Sequence, residues 1–326
     1  MADFELLKDI RAKASAAKKT IVLPESHDER VLKAAEILTG EGISIITVGN
    51  EDKVREDASA AGVNLQGVRI IDPAKSELTG NFANTFFNLR KHKGVTIEQA
   101  HEIMKRDLFF GAMLVREGMA DGSVAGSTAS TADVLKSSIQ CVGMPEGMSI
   151  VSSFFIMIMP EKAYAFADCA VVPNPDSTQL ADIAIATADN FKLITGEEPR
   201  VALLSFSTKG SAKHELVDKV LATLDIIKEK RPDLDVDGEL QFDAAVIDSI
   251  GKRKAPESNV AGKANVLVFP DLQAGNIGYK IAQRFGGAEA VGPVVQGLKK
   301  PLFDLSRGCS VDDIVNTAAI AVLMSV

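Results

Sequence analysis

Apolar residues follow two alternating patterns along this chain. Short runs of aliphatic residues, such as Ile21-Val22-Leu23, alternate with longer stretches in which apolar positions return every three or four residues. The first pattern is that of a buried strand, the second that of an amphipathic helix. Residues 8–19 then form a leading helix, and 20–23 a strand ended by Pro24. Ser26-His27-Asp28-Glu29 is a capping box opening a helix with Val31, Leu32, Ala35 and Leu38 on its apolar face. Residues 42–48 and 68–71 read as strands. Helices are predicted over 76–90, 96–105 and 107–119, followed by a Gly-framed strand at 120–126 and a helix over 132–140. Strand and helix alternating at this length imply βαβ units and a largely parallel sheet.

The pattern changes at Met144-Pro145-Glu146-Gly147. Residues 149–159 and 163–166 are adjacent strand-like runs, and a turn at 160–162 makes them an antiparallel hairpin. A helix over 177–193, a strand at 200–206 and a helix ending near 230 follow. Strands at 233–241 and 265–269 flank residues 252–263, which read as a polar, mobile loop. A helix over 275–285 and a strand at 290–295 come next. Val311, Ile314, Val315, Ala318, Ala319 and Val322 then mark a helix that needs a sheet to cover. The domains are therefore placed at 1–146 with 294–326, and at 147–293.

The chain has 326 residues, more than one core ordinarily serves, which supports two domains. Its net charge of -8 argues against general affinity for nucleic acid or an anionic membrane. The longest nearly uninterrupted apolar run, 149–159, is too short to span a bilayer. Met1-Ala2-Asp3-Phe4-Glu5 is acidic and lacks the apolar core of a signal peptide. Cys141, Cys169 and Cys309 show no CxxC spacing, and the histidines are scattered. That combination suits a reducing cytoplasm and gives no metal signature.

The chemistry concentrates in Asp304-Leu305-Ser306-Arg307-Gly308-Cys309-Ser310-Val311-Asp312-Asp313. Ser310 and Asp313 have capping-box spacing, so this run feeds a helix N-terminus, which attracts anions. Arg307 adds a fork suited to phosphate, Ser306 a hydroxyl, and Gly308 room for close approach. An ordinary capped loop would have the same spacing. A second candidate is Ser127-Thr128-Ala129-Ser130-Thr131, between a strand and a helix, where Ser127 and Thr128 could cradle a phosphate. It contains neither GxxxxGK nor GxGxxG. Pro24-Glu25 at a strand end is either the edge of a site or plain loop. Arg90, Lys91, His92 and Lys93 form a basic cluster that complements a helix C-terminus.

Taken together, several stretches resemble the phosphate acetyl/butyryltransferase family. They are Leu302 to Ile314, Ala120 to Gly126, Ile21 to Glu25, Ser205 to Ser211 and Phe269 to Gly278. The resemblance runs through the whole chain in order. It implies an α/β fold of two domains with mainly parallel sheets and an interdomain cleft, like isocitrate and isopropylmalate dehydrogenases. It also implies a homodimer with no metal or nicotinamide cofactor, coenzyme A being a substrate. The implied reaction is reversible: acetyl phosphate plus coenzyme A gives acetyl-CoA plus phosphate, by direct transfer in a ternary complex. By motif, Asp313 becomes the base for the thiol, Ser306 and Arg307 assist the reacting carbonyl and phosphate, and Arg90 contacts the anionic substrate. A further family arginine aligns with Lys136, which keeps the charge but loses two-pronged geometry.

The chemistry tests these roles. A free thiol with a pKa of about 8.5 and an aspartic acid of about 3.9 differ by roughly 6 kcal/mol in proton affinity. Asp313 therefore accepts the proton only as the S–C bond forms, or instead orients Arg307. Cys309 offers a different route, an acetyl-thioester on the enzyme. Among other functions, phosphate butyryltransferase differs only in the acyl pocket. A metal-dependent decarboxylating dehydrogenase would need clustered aspartates, and a silent regulatory domain would not need the Ser306-Arg307-Asp313 set.

Overall fold

The computed structural model describes residues 5–160 and 162–326. The acidic start Met1–Phe4 and the hairpin-turn residue Glu161 lie outside the described residues. Two compact units emerge: Glu5–Pro145 with Leu298–Val326, and Glu146–Gly297.

The first unit opens with α1 (Glu5–Ala17), β1 (Thr20–Leu23), α2 (Glu29–Gly40), β2 (Ser44–Val48), α3 (Glu51–Ala60) and β3 (Arg69–Ile71). It continues with α4 (Leu78–Arg90), α5 (Ile97–Met104), α6 (Asp107–Arg116), β4 (Gly122–Ala125) and α7 (Thr131–Cys141). The chain then builds the second unit from β5 (Ser152–Ile158), β6 (Ala163–Ala167), α8 (Ser177–Thr195), β7 (Arg200–Leu204), α9 (Glu215–Lys230) and β8 (Asp235–Leu240). α10 (Phe242–Val246), α11 (Asp248–Lys254), β9 (Val266–Val268), α12 (Leu272–Arg284) and β10 (Glu289–Gln296) complete it. The return to the first unit supplies β11 (Leu302–Asp304) and α13 (Val311–Leu323).

The first unit's sheet runs β11-β4-β1-β2-β3, with every pairing parallel. The central strands β1, β4 and β2 are almost entirely buried, as expected where helices cover both faces, while edge strand β3 starts at exposed Arg69. One face carries α13, which packs on α1 and α2. The other buries Val22, Ile46 and Val48 against Phe82, Phe86, Phe109 and Phe110. Chain order reverses between β1 and β4, so the loops beyond their carboxyl ends flank a topological switch point.

The second unit's sheet runs β10-β5-β6-β9-β7-β8. The β10–β5 and β5–β6 pairs are antiparallel, and the other three pairs are parallel. α8 lies against β5, β6, β7 and β9; α12 contacts β5, β6 and β10. Among the described residues no helix is long and apolar enough to cross a membrane.

Three local expectations change. Ser26 does not cap α2: Asp28 does, accepting from the Arg30 N–H at 2.9 Å, while buried Ser26 donates its hydroxyl to the Val48 carbonyl at 2.7 Å. Residues 252–263 are not a mobile polar loop. α11 runs through Lys254, and Ala255, Val260 and Ala261 are buried beside Leu240 and Leu267. Residues 302–304, where no element was expected, form a strand, because they pair with β4 from Ser123 to Ala125.

Candidate active site

Because β11, β4 and β1 are neighbours, the loops after them meet at one edge of the first unit. These are Pro24–Asp28, Gly126–Ser130 and Leu305–Ser310. Parallel strands end there with their carbonyls directed outward, and ligands of open α/β sheets bind at that edge.

The loop after β4 is the cradle that its Ser and Thr content suggested, but the protein fills it. One oxygen of Glu25 accepts the Gly126 N–H at 2.7 Å, the Ser127 N–H at 2.8 Å and the Ser127 hydroxyl at 3.0 Å. The other accepts the Thr128 N–H at 3.0 Å, its hydroxyl at 2.7 Å and the Ala129 N–H at 2.7 Å. Burial alone would raise the Glu25 pKa. The bonds from Thr128, Ala129 and Ser127 outweigh it and hold the group below the ordinary carboxylate value. Both candidate hydroxyls, Ser127 and Thr128, are therefore committed to Glu25. His27 adds an Nε2 contact to the Thr128 hydroxyl oxygen at 3.0 Å.

Gly126 has φ +101°, and a Cβ there would lie 2.4 Å from Asp304 Oδ1 and 2.7 Å from the Leu305 nitrogen. Only glycine lets β4 and β11 end so close together. Asp304 is buried; one oxygen accepts the Thr131 hydroxyl at 2.6 Å and the other has no partner. Burial pushes its pKa up to about 6, against the pull of the Thr131 hydroxyl.

Ser306 and Arg307 lie in the loop leading into α13, and Asp313 lies in its first turn. The capping box forms as its spacing predicted: Asp313 accepts the Ser310 N–H at 2.7 Å, and Ser310 Oγ accepts the Asp313 N–H at 3.1 Å. Ser306 is exposed, and its hydroxyl oxygen accepts the Gly308 N–H at 3.3 Å. The Arg307 side chain is exposed and meets no hydrogen-bond or ion-pair partner among the described residues. Cys309 is buried, and burial pushes its thiol up to about 11.

Arg30 joins the three loops. Its guanidinium donates to both Asp28 oxygens, to the Ser127 carbonyl at 2.9 Å, and to the carbonyls of Arg307 at 3.0 Å and Cys309 at 2.7 Å. Sequence reasoning missed it, because its partners lie up to 279 residues away.

Arg90 ends α4, half-buried, with its Nε unpartnered. Lys136 is exposed on α7, which packs against α4. Neither touches the loops just described through a hydrogen bond.

The chain can be set beside known proteins. A sequence profile of the phosphate acetyl/butaryl transferase family matches residues 5–322. The phosphate acetyltransferase of Thermoanaerobacterium thermosaccharolyticum is 50% identical over 321 residues, covering 96% of this chain and 97% of that protein. The crystal structure of a phosphotransacetylase from Streptococcus pyogenes is 43% identical with TM-score 0.95, covering 100% of this chain and 99% of that one. A structure assigned as a 4-hydroxythreonine-4-phosphate dehydrogenase from Salmonella typhimurium is similar in fold alone: 11% identity, TM-score 0.57, 94% of this chain and 99% of that one.

Proposed function

The chain belongs to the phosphate acetyl/butaryl transferase family, and on that premise we propose that it is a phosphate acetyltransferase. It moves an acetyl group reversibly between acetyl phosphate and coenzyme A. The observation that carries this reading is 50% identity to a phosphate acetyltransferase across nearly the whole of both chains. The likeness to a dehydrogenase-type structure supports an isocitrate/isopropylmalate dehydrogenase-like fold.

In the ternary complex the coenzyme A sulfur attacks the carbonyl carbon of acetyl phosphate. The S–C bond forms, the carbonyl–phosphate C–O bond breaks, and phosphate leaves with the electron pair. Arg307, exposed and without a partner among the described residues, meets the phosphate and the developing charge. Ser306 donates to the carbonyl oxygen. Asp313 accepts the thiol proton as the S–C bond forms, and its second oxygen is the one outside the capping box. The Cys309 thiol, buried and held up to about 11, is a poor nucleophile, which supports direct transfer over an acetyl-enzyme. Arg90 has an unpaired buried Nε and is assigned to an anionic part of the substrate, with Lys136 as an accessory charge.

The working form is a homodimer built on α12. Ile277, Ile281 and Phe285 fall at i, i+4 and i+8 and are 57%, 54% and 90% exposed. Phe242 and Ile247 of the same unit are also exposed. Such a patch on an acidic chain suits a second copy better than solvent. All three cysteines are unpaired, which supports a cytoplasmic location.

The direct test mixes purified protein with coenzyme A and acetyl phosphate and follows thioester absorbance, with a parallel run on butyryl phosphate. Rapid thioester formation from acetyl phosphate is the expected outcome. Preference for butyryl phosphate would move the substrate, and no thioester from either would reject the function.

A further inference from the structure

We propose that Arg30 is the positioning residue of this site: it sets Ser306 and Asp313 through the peptide planes between them, without touching substrate. The proposal rests on the acetyltransferase reading and adds a residue to it.

Every donor of the Arg30 guanidinium is committed. A guanidinium has five N–H donors. Nε and one Nη2 proton go to Asp28, at 3.1 and 2.6 Å. The second Nη2 proton goes to the Ser127 carbonyl, and the two Nη1 protons go to the carbonyls of Arg307 and Cys309. No donor remains for a phosphate or a carbonyl substrate, so Arg30 serves the loops alone. Its charge is held by Asp28, whose own pKa burial would raise but the Arg30 bond keeps low.

In a planar trans peptide the C=O and the following N–H point in opposite directions. The Arg307 carbonyl points to Arg30, and the N–H of that peptide, on Gly308, points to Ser306 Oγ. The Cys309 carbonyl points to Arg30, and the N–H of that peptide, on Ser310, points to the Asp313 carboxylate. Each site side chain is thus held by an N–H whose peptide plane is fixed from behind by Arg30. Ser127, tied to Glu25, anchors the same guanidinium from the β4 loop. A lysine has three donors on one nitrogen and cannot span these acceptors.

The experiment compares kcat and KM of the wild type, Arg30→Met, Arg30→Lys, Asp313→Asn and the Arg30→Met/Asp313→Asn double variant, with thermal melting of each. Loss of positioning predicts a fall in kcat of about 100-fold in Arg30→Met, with KM for both substrates within about threefold. Lysine should not restore it. The double variant should lose less than the product of the two single losses, because part of the Arg30 effect runs through Asp313 and the rest through Ser306. Unchanged kcat in Arg30→Met, losses that multiply in the double variant, or full activity of Asp313→Asn beside a slow Arg30→Met would each overturn the proposal. If Arg30→Met does not fold, Asp28→Asn replaces it: a kcat fall of about tenfold is expected, and unchanged kcat overturns the proposal. An inactive wild type would reject the acetyltransferase reading instead.

Discussion

One oxygen of Glu25 accepts from Thr128 twice, from its hydroxyl at 2.7 Å and from its backbone N–H at 3.0 Å. The carboxylate thereby occupies the place that a Ser/Thr-rich loop at a helix N-terminus would otherwise offer to a phosphate. The anion-binding geometry is real, but the anion belongs to the protein. The proposed role of Arg307 in meeting the substrate phosphate is consistent with this, since that side chain has no partner among the described residues.

Replacing Glu25 by Gln puts an NH2 group against a loop made of donors. The expected loss is about 2–4 kcal/mol, from charge-assisted bonds that cannot be remade. Urea unfolding of wild type and Glu25→Gln measures it. The sign with pH is also fixed. Glu25 has a folded pKa below its unfolded value, so its stabilisation is present above about pH 4.3 and is lost as pH falls through the folded pKa. The variant should lose less stability than wild type on acidification in that range.

Asp304 behaves oppositely. Its folded pKa of about 6 exceeds the unfolded value of about 3.9. Between those values the unfolded chain binds fewer protons, so this group lowers stability as pH rises from about 4 to 6 and adds no further slope above that. Two pKa units correspond to at most about 3 kcal/mol. Asp304→Asn keeps an acceptor for Thr131 and cannot ionise. Melting temperatures at pH 4.5 and 7 should show the variant gaining on wild type at the higher pH. An equal difference at both would mean that Asp304 does not titrate there.

Arg307 carries charge on an exposed side chain with no partner among the described residues. Arg307→Ala should therefore leave the melting temperature within about 2 °C of wild type, an exposed change of under about 0.5 kcal/mol. Turnover should fall by about 100-fold or more, as for an electrostatic contact made mainly in the transition state. Steady-state kinetics together with a melting curve separate the two effects, and unchanged turnover would remove Arg307 from the mechanism.

The α12 stripe predicts a quaternary change. A charge at its centre, Ile281→Asp, should convert the proposed dimer into a monomer, read by light scattering after size-exclusion chromatography. A wild type that already elutes as a monomer at micromolar concentration would reject the interface.

Local physics was legible in the sequence, and long-range physics was not. The Ser310–Asp313 box spans three residues, so its geometry follows from the backbone alone. β1 was visible because a parallel strand buried on both faces is a continuous aliphatic run, whereas β4, Gly122-Ser123-Val124-Ala125, showed itself only through the glycines that frame it. Glu25 looked like an ordinary loop carboxylate, because its six donors sit 101 to 104 residues away. Arg30 was hidden in a helix start whose Ser26 mimicked a cap. α10 and α11 were missed because Ala244, Ala245, Ala255 and Val260 bury too little apolar pattern to stand out from the lysines between them.

The return of the chain at Leu298 has a consequence for synthesis. The sheet strand β11, the Ser306–Ser310 loop and α13 all follow the contiguous second unit in the order of translation. A ribosome-bound chain stopped after Gly297 has made Glu25, Asp28 and Arg30, but not the carbonyls that Arg30 grips or any of Ser306, Arg307 and Asp313. The strand that would cover the open edge of β4 is also still unmade. The three loops are therefore complete in the nascent protein only after the second unit has been made, and until then the unpaired β4 edge is open to mispairing.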